Sequence, residues 1–173
     1  TYYEISGKDF HFTIDLDTGL MGKYYYKNDI LMKNGPVPNV GRAKLDNDSG
    51  RYSDLMKELT LTGKPEVIKN AQGCYVITVK WNTAYFSGST KDKQDTVAMN
   101  YLVENNGAVT INVVYDLTNM QGKKIAKLGT IFSMPEGNED ISWYGNGDGE
   151  SYNDRQSYTR KGVYHTSVNE MYY

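Results

Sequence analysis

The stretch Val109-Thr110-Ile111-Asn112-Val113-Val114-Tyr115-Asp116-Leu117 decides the fold. Val109, Ile111, Val113, Tyr115 and Leu117 take every second position, with Thr110, Asn112 and Asp116 between them. Side chains alternate across a strand with a period of two, so this pattern predicts a strand with one buried and one wet face. Moving outward, Tyr75, Ile77, Val79 and Trp81 alternate with Cys74, Val76, Thr78 and Lys80, and Val97, Met99, Tyr101 and Val103 repeat the pattern. Glu104-Asn105-Asn106-Gly107 supplies a turn between two of these runs. Near the N-terminus, Phe10, Phe12, Ile14 and Leu16 share a face. Asp17-Thr18-Gly19 then turns the chain into a returning strand over Leu20 to Tyr26. Leu128 to Met134, Ile141 to Tyr144 and Val163 to Val168 complete the strand set. Strands with one buried face and short turns pair antiparallel, so an all-β antiparallel β-sandwich is expected.

One segment breaks the period. Tyr52, Leu55, Met56 and Leu59 fall at helical spacing, with Ser49 as N-cap and Gly63 and Pro65 behind them, which predicts one short helix over Tyr52 to Leu59. Ser87 to Gln94, rich in Lys and Ser, reads as a mobile hairpin tip and not a domain linker. No internal repeat breaks the chain, so residues 1–173 read as a single β-sandwich domain.

Charge narrows the function classes. Lys plus Arg number 19 and Asp plus Glu 21, a net charge of −2. Phosphate attraction therefore gives no drive toward nucleic acid. No apolar run approaches the roughly 20 residues of a membrane-spanning helix, so no membrane partner is expected. Cys74 is the single cysteine and has no internal disulfide partner. The 16 Tyr suit half-buried strands first, and sugar stacking second.

Two segments concentrate polar residues: Gly35 to Gly50 and Trp143 to Arg155. Asp46, Asn47 and Asp48 offer oxygens of the kind a calcium ion takes, but the third acidic position and distal glutamate of a helix-loop-helix site are missing. An Asx-type turn is the plainer use of these residues. Gly145, Gly147 and Gly149 resemble a phosphate loop only superficially, because Ser151 to Arg155 carries no helical stripe to aim N–H groups at an anion. Glu150 with Asp154, or Asp46 with Asp48, could be read as a glycosidase pair, which needs carboxyls roughly 5–5.5 Å apart. Arg42 and Arg155 beside them favour structural ion pairs. His11 and His165 lie far apart without Cys partners, which argues against zinc.

Taken together, the two segments resemble those of the C-terminal, small-chain domain of glycoside hydrolase family 2 β-galactosidases. The opening hairpin of that domain is matched by Gly7, Phe10, Asp15 and Gly19. Its first motif is matched by Gly35, Pro36, Pro38, Asn39, Arg42, Ala43, Asp46, Asn47, Asp48 and Gly50. Its second is matched by Trp143, Tyr144, Gly145, Gly147, Glu150, Tyr152, Asp154 and Arg155. Val40 and Gly41 stand where the family usually has aromatics, and Lys44 and Asp148 where it has prolines.

The resemblance implies the N-terminal portion of that domain, part of a galactose-mutarotase-like supersandwich. It implies a non-catalytic wall packed on a (β/α)₈ barrel that holds the catalytic glutamates, in an exo-glycosidase acting on terminal β-galactosides. The implied partners are the remaining domains of the parent, the β-galactoside it acts on and, through open strand edges, a further copy of the chain. No catalytic residue, cofactor or metal ligand is expected in this chain, and any divalent cation of the parent belongs to other domains. The alternatives are a free-standing carbohydrate-binding module and a mutarotase, the latter disfavoured by having only two His at opposite ends of the sequence.

Arg42 and Arg155 are thus expected to hold the motif loops through Asp46, Asp48, Glu150 and Asp154. Removing one partner of a buried pair costs roughly 3–5 kcal/mol, so Arg155→Ala is expected to lower the urea midpoint clearly. An unchanged midpoint would refute the structural role.

Overall fold

The computed structural model describes residues 1–39, 59–83, 96–116, 118, 128–147, 149, 151 and 156–171. The chain divides into two compact units, Thr1–Ser133 and Met134–Tyr173.

The first unit holds an antiparallel β-sandwich, as the alternating runs predict. One sheet has the order β1-β2-β3-β4, built from β1 (Tyr2–Ser6), β2 (Phe10–Asp15), β3 (Tyr24–Tyr26) and β4 (Asp29–Met32). After β5 (Asn34–Asn39), the second sheet comprises β6 (Leu59–Leu61), β7 (Glu66–Lys69), β8 (Tyr75–Thr83), β9 (Thr96–Val103) and β10 (Val109–Asp116). Its order is β10-β9-β8-β6, with β7 also paired to β8. β11 (Gly129–Ser133) pairs separately with β5.

The core is what the period of two selects. From the first sheet come Ile5, Phe10, Phe12, Ile14 and Tyr24, with Met21 from the segment between β2 and β3, and from the second Ile77, Val79, Trp81, Val97, Met99, Tyr101 and Val103. All thirteen are buried, and each large apolar side chain taken from water contributes about 1.5–3 kcal/mol. The register keeps them together: Ile77 faces Tyr101, Val79 faces Met99 and Trp81 faces Val97 across β8 and β9. Polar groups buried with them find partners. The Tyr24 hydroxyl donates to the Gly107 carbonyl, the Trp81 indole N–H to Thr18 O at 2.7 Å, and the Tyr101 hydroxyl lies 2.8 Å from Met99 Sδ. Burial pushes the Tyr101 hydroxyl pKa far above its ordinary value.

Several elements differ from the sequence-based expectation. The strand expected over Leu20 to Tyr26 is regular only at Tyr24–Tyr26, with an isolated bridge from Met21 to Ile14 before it. The chain is held close there because Gly22 N–H donates to Thr13 O at 2.8 Å, and a Cβ on Gly22 would sit 2.5 Å from Thr13 Oγ1. β1, β4, β6 and β7 carry too few buried side chains to announce themselves as strands. Leu59, the last residue of the expected helix, is a strand residue opening β6, opposite Thr83. Residues 52–58 of that helix, and the expected hairpin tip Ser87 to Gln94, lie outside the described residues.

The Asp15–Gly19 turn closes the sandwich at one end. Asp15 Oδ1 accepts from Thr18 N at 2.7 Å, Asp17 N at 2.9 Å and Thr18 Oγ1 at 3.0 Å. The Thr18 and Asp17 amides hold the Asp15 carboxyl below its usual range. Gly19 has φ +74°, and a Cβ there would meet Val79 Cγ1 at 2.5 Å and Leu61 Cδ1 at 2.6 Å. Gly63 also has positive φ, +92°, with nothing within 4 Å of its would-be Cβ. Gly19→Ala is therefore expected to cost about 2 kcal/mol or more, from backbone strain plus overpacking. Gly63→Ala is expected to cost only about 1 kcal/mol, from the backbone alone. Urea denaturation of the two variants checks the difference, and equal midpoints would contradict the packing described.

Candidate functional site

Arg42, Asp46, Asn47, Asp48, Glu150, Tyr152, Asp154 and Arg155 all lie outside the described residues. The stems that carry their motifs are described, one in each unit. In the first unit β5 holds Gly35, Pro36, Val37, Pro38 and Asn39 against β11, with Val37 opposite Ile131 and Asn39 opposite Gly129. Gly35 has φ +102° and lies under a β-bulge, where a Cβ would meet Ile131 O at 2.7 Å. Pro36 and Pro38 are buried, whereas Ile131 and Phe132 on β11 are exposed. Tyr115 ties β10 to this ribbon, its hydroxyl donating to Gly129 O at 2.6 Å.

The second unit is a two-stranded antiparallel hairpin, β12 (Asp140–Gly147) with β13 (Arg160–Ser167), plus a 3₁₀ turn at Gln156–Tyr158. Its pairing puts Ile141, Trp143, Gly145 and Gly147 on one face, opposite Thr166, Tyr164, Gly162 and Arg160. Trp143 and Tyr164 stack with centroids 5.4 Å apart, and the Trp143 indole N–H donates to Asn146 O at 3.0 Å. A Cβ on Gly147 would fall 2.1 Å from the Tyr164 ring, so this motif glycine is required by close approach.

On the opposite face Asp140, Ser142, Tyr144 and Asn146 meet Ser167, His165, Val163 and Lys161. Tyr144 is 78% exposed and Val163 67%, an open aromatic and β-branched pair. Beside them Ser142 Oγ lies 2.8 Å from His165 Nδ1. A shallow cleft of about 530 Å³ is lined there by Asp140, Ser142, His165, Thr166 and Glu170, among others. Glu170 Oε2 accepts from Ser167 N at 3.0 Å and Thr166 Oγ1 at 3.1 Å. These bonds, the Ser167 amide first, hold its carboxyl below the ordinary value of 4.5. A carboxyl held ionised is a poor proton donor near neutral pH, so the cleft suits hydrogen bonding better than general acid catalysis. His11 is exposed and stacks on Tyr25, with centroids 4.4 Å apart. No group of three or more potential metal ligands occurs among the described residues. The Ser142–His165 pair and the Tyr144–Val163 platform were not singled out in the sequence reading. The alternation of Ser142 with Tyr144 and of Val163 with His165 is the signal that places them on one face.

An antiparallel sandwich with these two motif stems is the architecture the sequence resemblance implies, and comparison with known proteins agrees. The β-galactosidase small chain family matches residues 6–173, and the chain belongs to that family. A β-galactosidase of Psychromonas ingrahamii is 22% identical over 178 residues, and one of Priestia megaterium 25% over 171 residues. Each alignment covers 96% of this chain but only 17% and 16% of those relatives, so the chain spans about one sixth of their length.

The depressed carboxyl of Glu170 sets a pH dependence. Its folded-state pKa is lowered, so its stabilising effect is present above about pH 4.5 and is lost as pH falls through the lower folded value. Glu170→Gln is expected to be less stable than wild type at neutral pH, with the difference vanishing in acid. Chemical denaturation of the two proteins at pH 7 and at strongly acidic pH checks this, and a difference independent of pH would exclude the carboxylate.

Proposed function

We propose that this chain is the non-catalytic C-terminal domain of a β-galactosidase-type exo-glycosidase of glycoside hydrolase family 2. In this reading it packs on the catalytic barrel and helps to wall the site that takes terminal β-galactosides in carbohydrate metabolism. The observation that carries the reading is the family match over residues 6–173, set against relatives about six times as long. Walls of this kind assist chemistry by positioning substrate and excluding water. The open Tyr144 and Val163 pair, and the exposed Ile131 and Phe132 on β11, support packing against further protein. Retaining hydrolysis needs an acid and a nucleophile across one bond, and these roles are assigned to the barrel.

Tyr144 also favours a second reading, a carbohydrate-binding module. An exposed ring beside Ser142, His165 and Asn146 offers a stacking face with hydrogen-bonding groups around it. Barrel-coding sequence upstream in the same gene supports the wall, whereas saturable binding of a galactoside by the purified chain alone, lost in Tyr144→Ala, would favour the module. The purified chain is expected to release no chromophore from a chromogenic β-galactoside above background. Turnover that disappears in Glu150→Gln or Asp154→Asn would make one of those acids catalytic and refute the proposal.

A further inference from the structure

Among the described residues of the first unit, the outer edge of β10 presents a run of unpaired backbone groups. In the hairpin of β9 and β10, Glu104 N–H donates to Ala108 O at 2.9 Å, which makes that pair a hydrogen-bonded one. Hydrogen-bonded and non-hydrogen-bonded pairs alternate along an antiparallel ladder. The register then makes Leu102–Thr110, Asn100–Asn112, Ala98–Val114 and Thr96–Asp116 hydrogen-bonded pairs. Val109, Ile111, Val113 and Tyr115 therefore turn their N–H and C=O groups away from β9, and no described strand pairs with them.

The sandwich's other edges are short or interrupted. β1 has five residues and β4 four, while β6 and β7 divide the far edge of β8 between strands of three and four residues. β10 has eight, with no Lys, no Pro and a single charge, Asp116. Natural proteins protect long edges with such devices. Beside it the sandwich is open: Met21, Tyr24, Met32, Val109 and Ile111 line an apolar groove of about 210 Å³, and Ile111, on the inward face, is 39% exposed.

We propose that β10 is a self-pairing edge, and that two copies of this chain join antiparallel about a two-fold axis at Asn112. This register uses all four outward-facing residues. Val109 pairs with Tyr115 of the second copy and Ile111 with Val113, forming about eight backbone hydrogen bonds. On the core side every contact is apolar, and each copy's Ile111 is covered. On the solvent side Asn112 meets its own symmetry mate and Thr110 meets Val114. The one charge of the strand, Asp116, faces Ala108, so no like charges oppose each other. A partner strand of unrelated sequence would have to reproduce this alternation, whereas a second copy has it already.

Sedimentation velocity over about 1 µM to 1 mM is expected to show concentration-dependent dimers of the full chain. Asn112 is exposed, so Asn112→Lys leaves the core intact, which a thermal melt like that of wild type verifies. It sets two lysines against each other at the axis and is expected to weaken dimerisation at least about tenfold. Asn112→Glu is expected to do the same, and an equimolar mixture of the two variants to recover association as a heterodimer. A chain monomeric throughout, or dimers unaffected by Asn112→Lys and Asn112→Glu, would overturn the proposal. Dimers weakened by both variants without recovery in the mixture would overturn the Asn112-centred register. None of these outcomes bears on whether the chain belongs to a larger glycosidase.

Discussion

The first unit depends on one constraint, the depth to which Trp81 enters the space between its two sheets. The indole is buried among both inner faces, and its N–H reaches Thr18 O at 2.7 Å. That bond fixes the β2 turn over the end of β8, and only a residue without Cβ fits at Gly19, next to Val79, Leu61 and Trp81. Asp15 secures the same turn from within by taking two backbone N–H groups. At the far end Tyr24 does the corresponding work, its hydroxyl bonded to Gly107 in the β9–β10 turn. The sheets are thus clamped at both ends by an aromatic of one sheet bonded to a turn carbonyl of the other, and the apolar contacts between are held in register.

This clamping explains where the sandwich is closed and where it opens. Between the clamps the inner positions of β8 and β9 are sealed, since each strand has neighbours on both sides. β10 contributes side chains of the same type, yet Val109 and Val113 are only partly covered and Ile111 is exposed. Its position at the rim, and not its sequence, sets that burial. Tyr115 bonds to Gly129 of the β5–β11 ribbon, which leaves the Val109–Ile111 end as the apolar opening.

The same distinction decides what was legible in the sequence. β2, β8 and β9 alternate strictly because both ends of the period are enforced, by the core on one side and water on the other. β10 reads just as clearly, but alternation says which way a side chain points and not whether anything stands in front of it. β1, β4 and β7 are held by backbone pairing with few buried side chains, so their sequences carry little periodic signal. Leu59 satisfied a helical spacing with Tyr52, Leu55 and Met56, yet with Leu61 it also satisfies a period of two, and pairing with β8 takes it into a strand. The second motif was legible as glycine-rich, but the reason for Gly147 was not: the Tyr164 ring that excludes a Cβ comes from another strand. The charged residues of both motifs lie outside the described segments, so their chemistry rests on the family resemblance.

The second unit sharpens the case for a domain built to be covered. Its two strands of eight residues each must be ordered at about 1 kcal/mol or more per residue. Against this, the Trp143–Tyr164 stack contributes about 0.5–1.5 kcal/mol beyond its burial, and exposed cross-strand pairs such as Ser142–His165 add less. A lone two-stranded sheet is marginal in water for this reason. Tyr144 and Val163, open on the outer face, hold apolar surface whose burial would supply what the hairpin lacks. Cover from elsewhere in the polypeptide would stabilise the hairpin by burying that surface. The stability of the hairpin would then depend on what covers it and not on its own two strands alone.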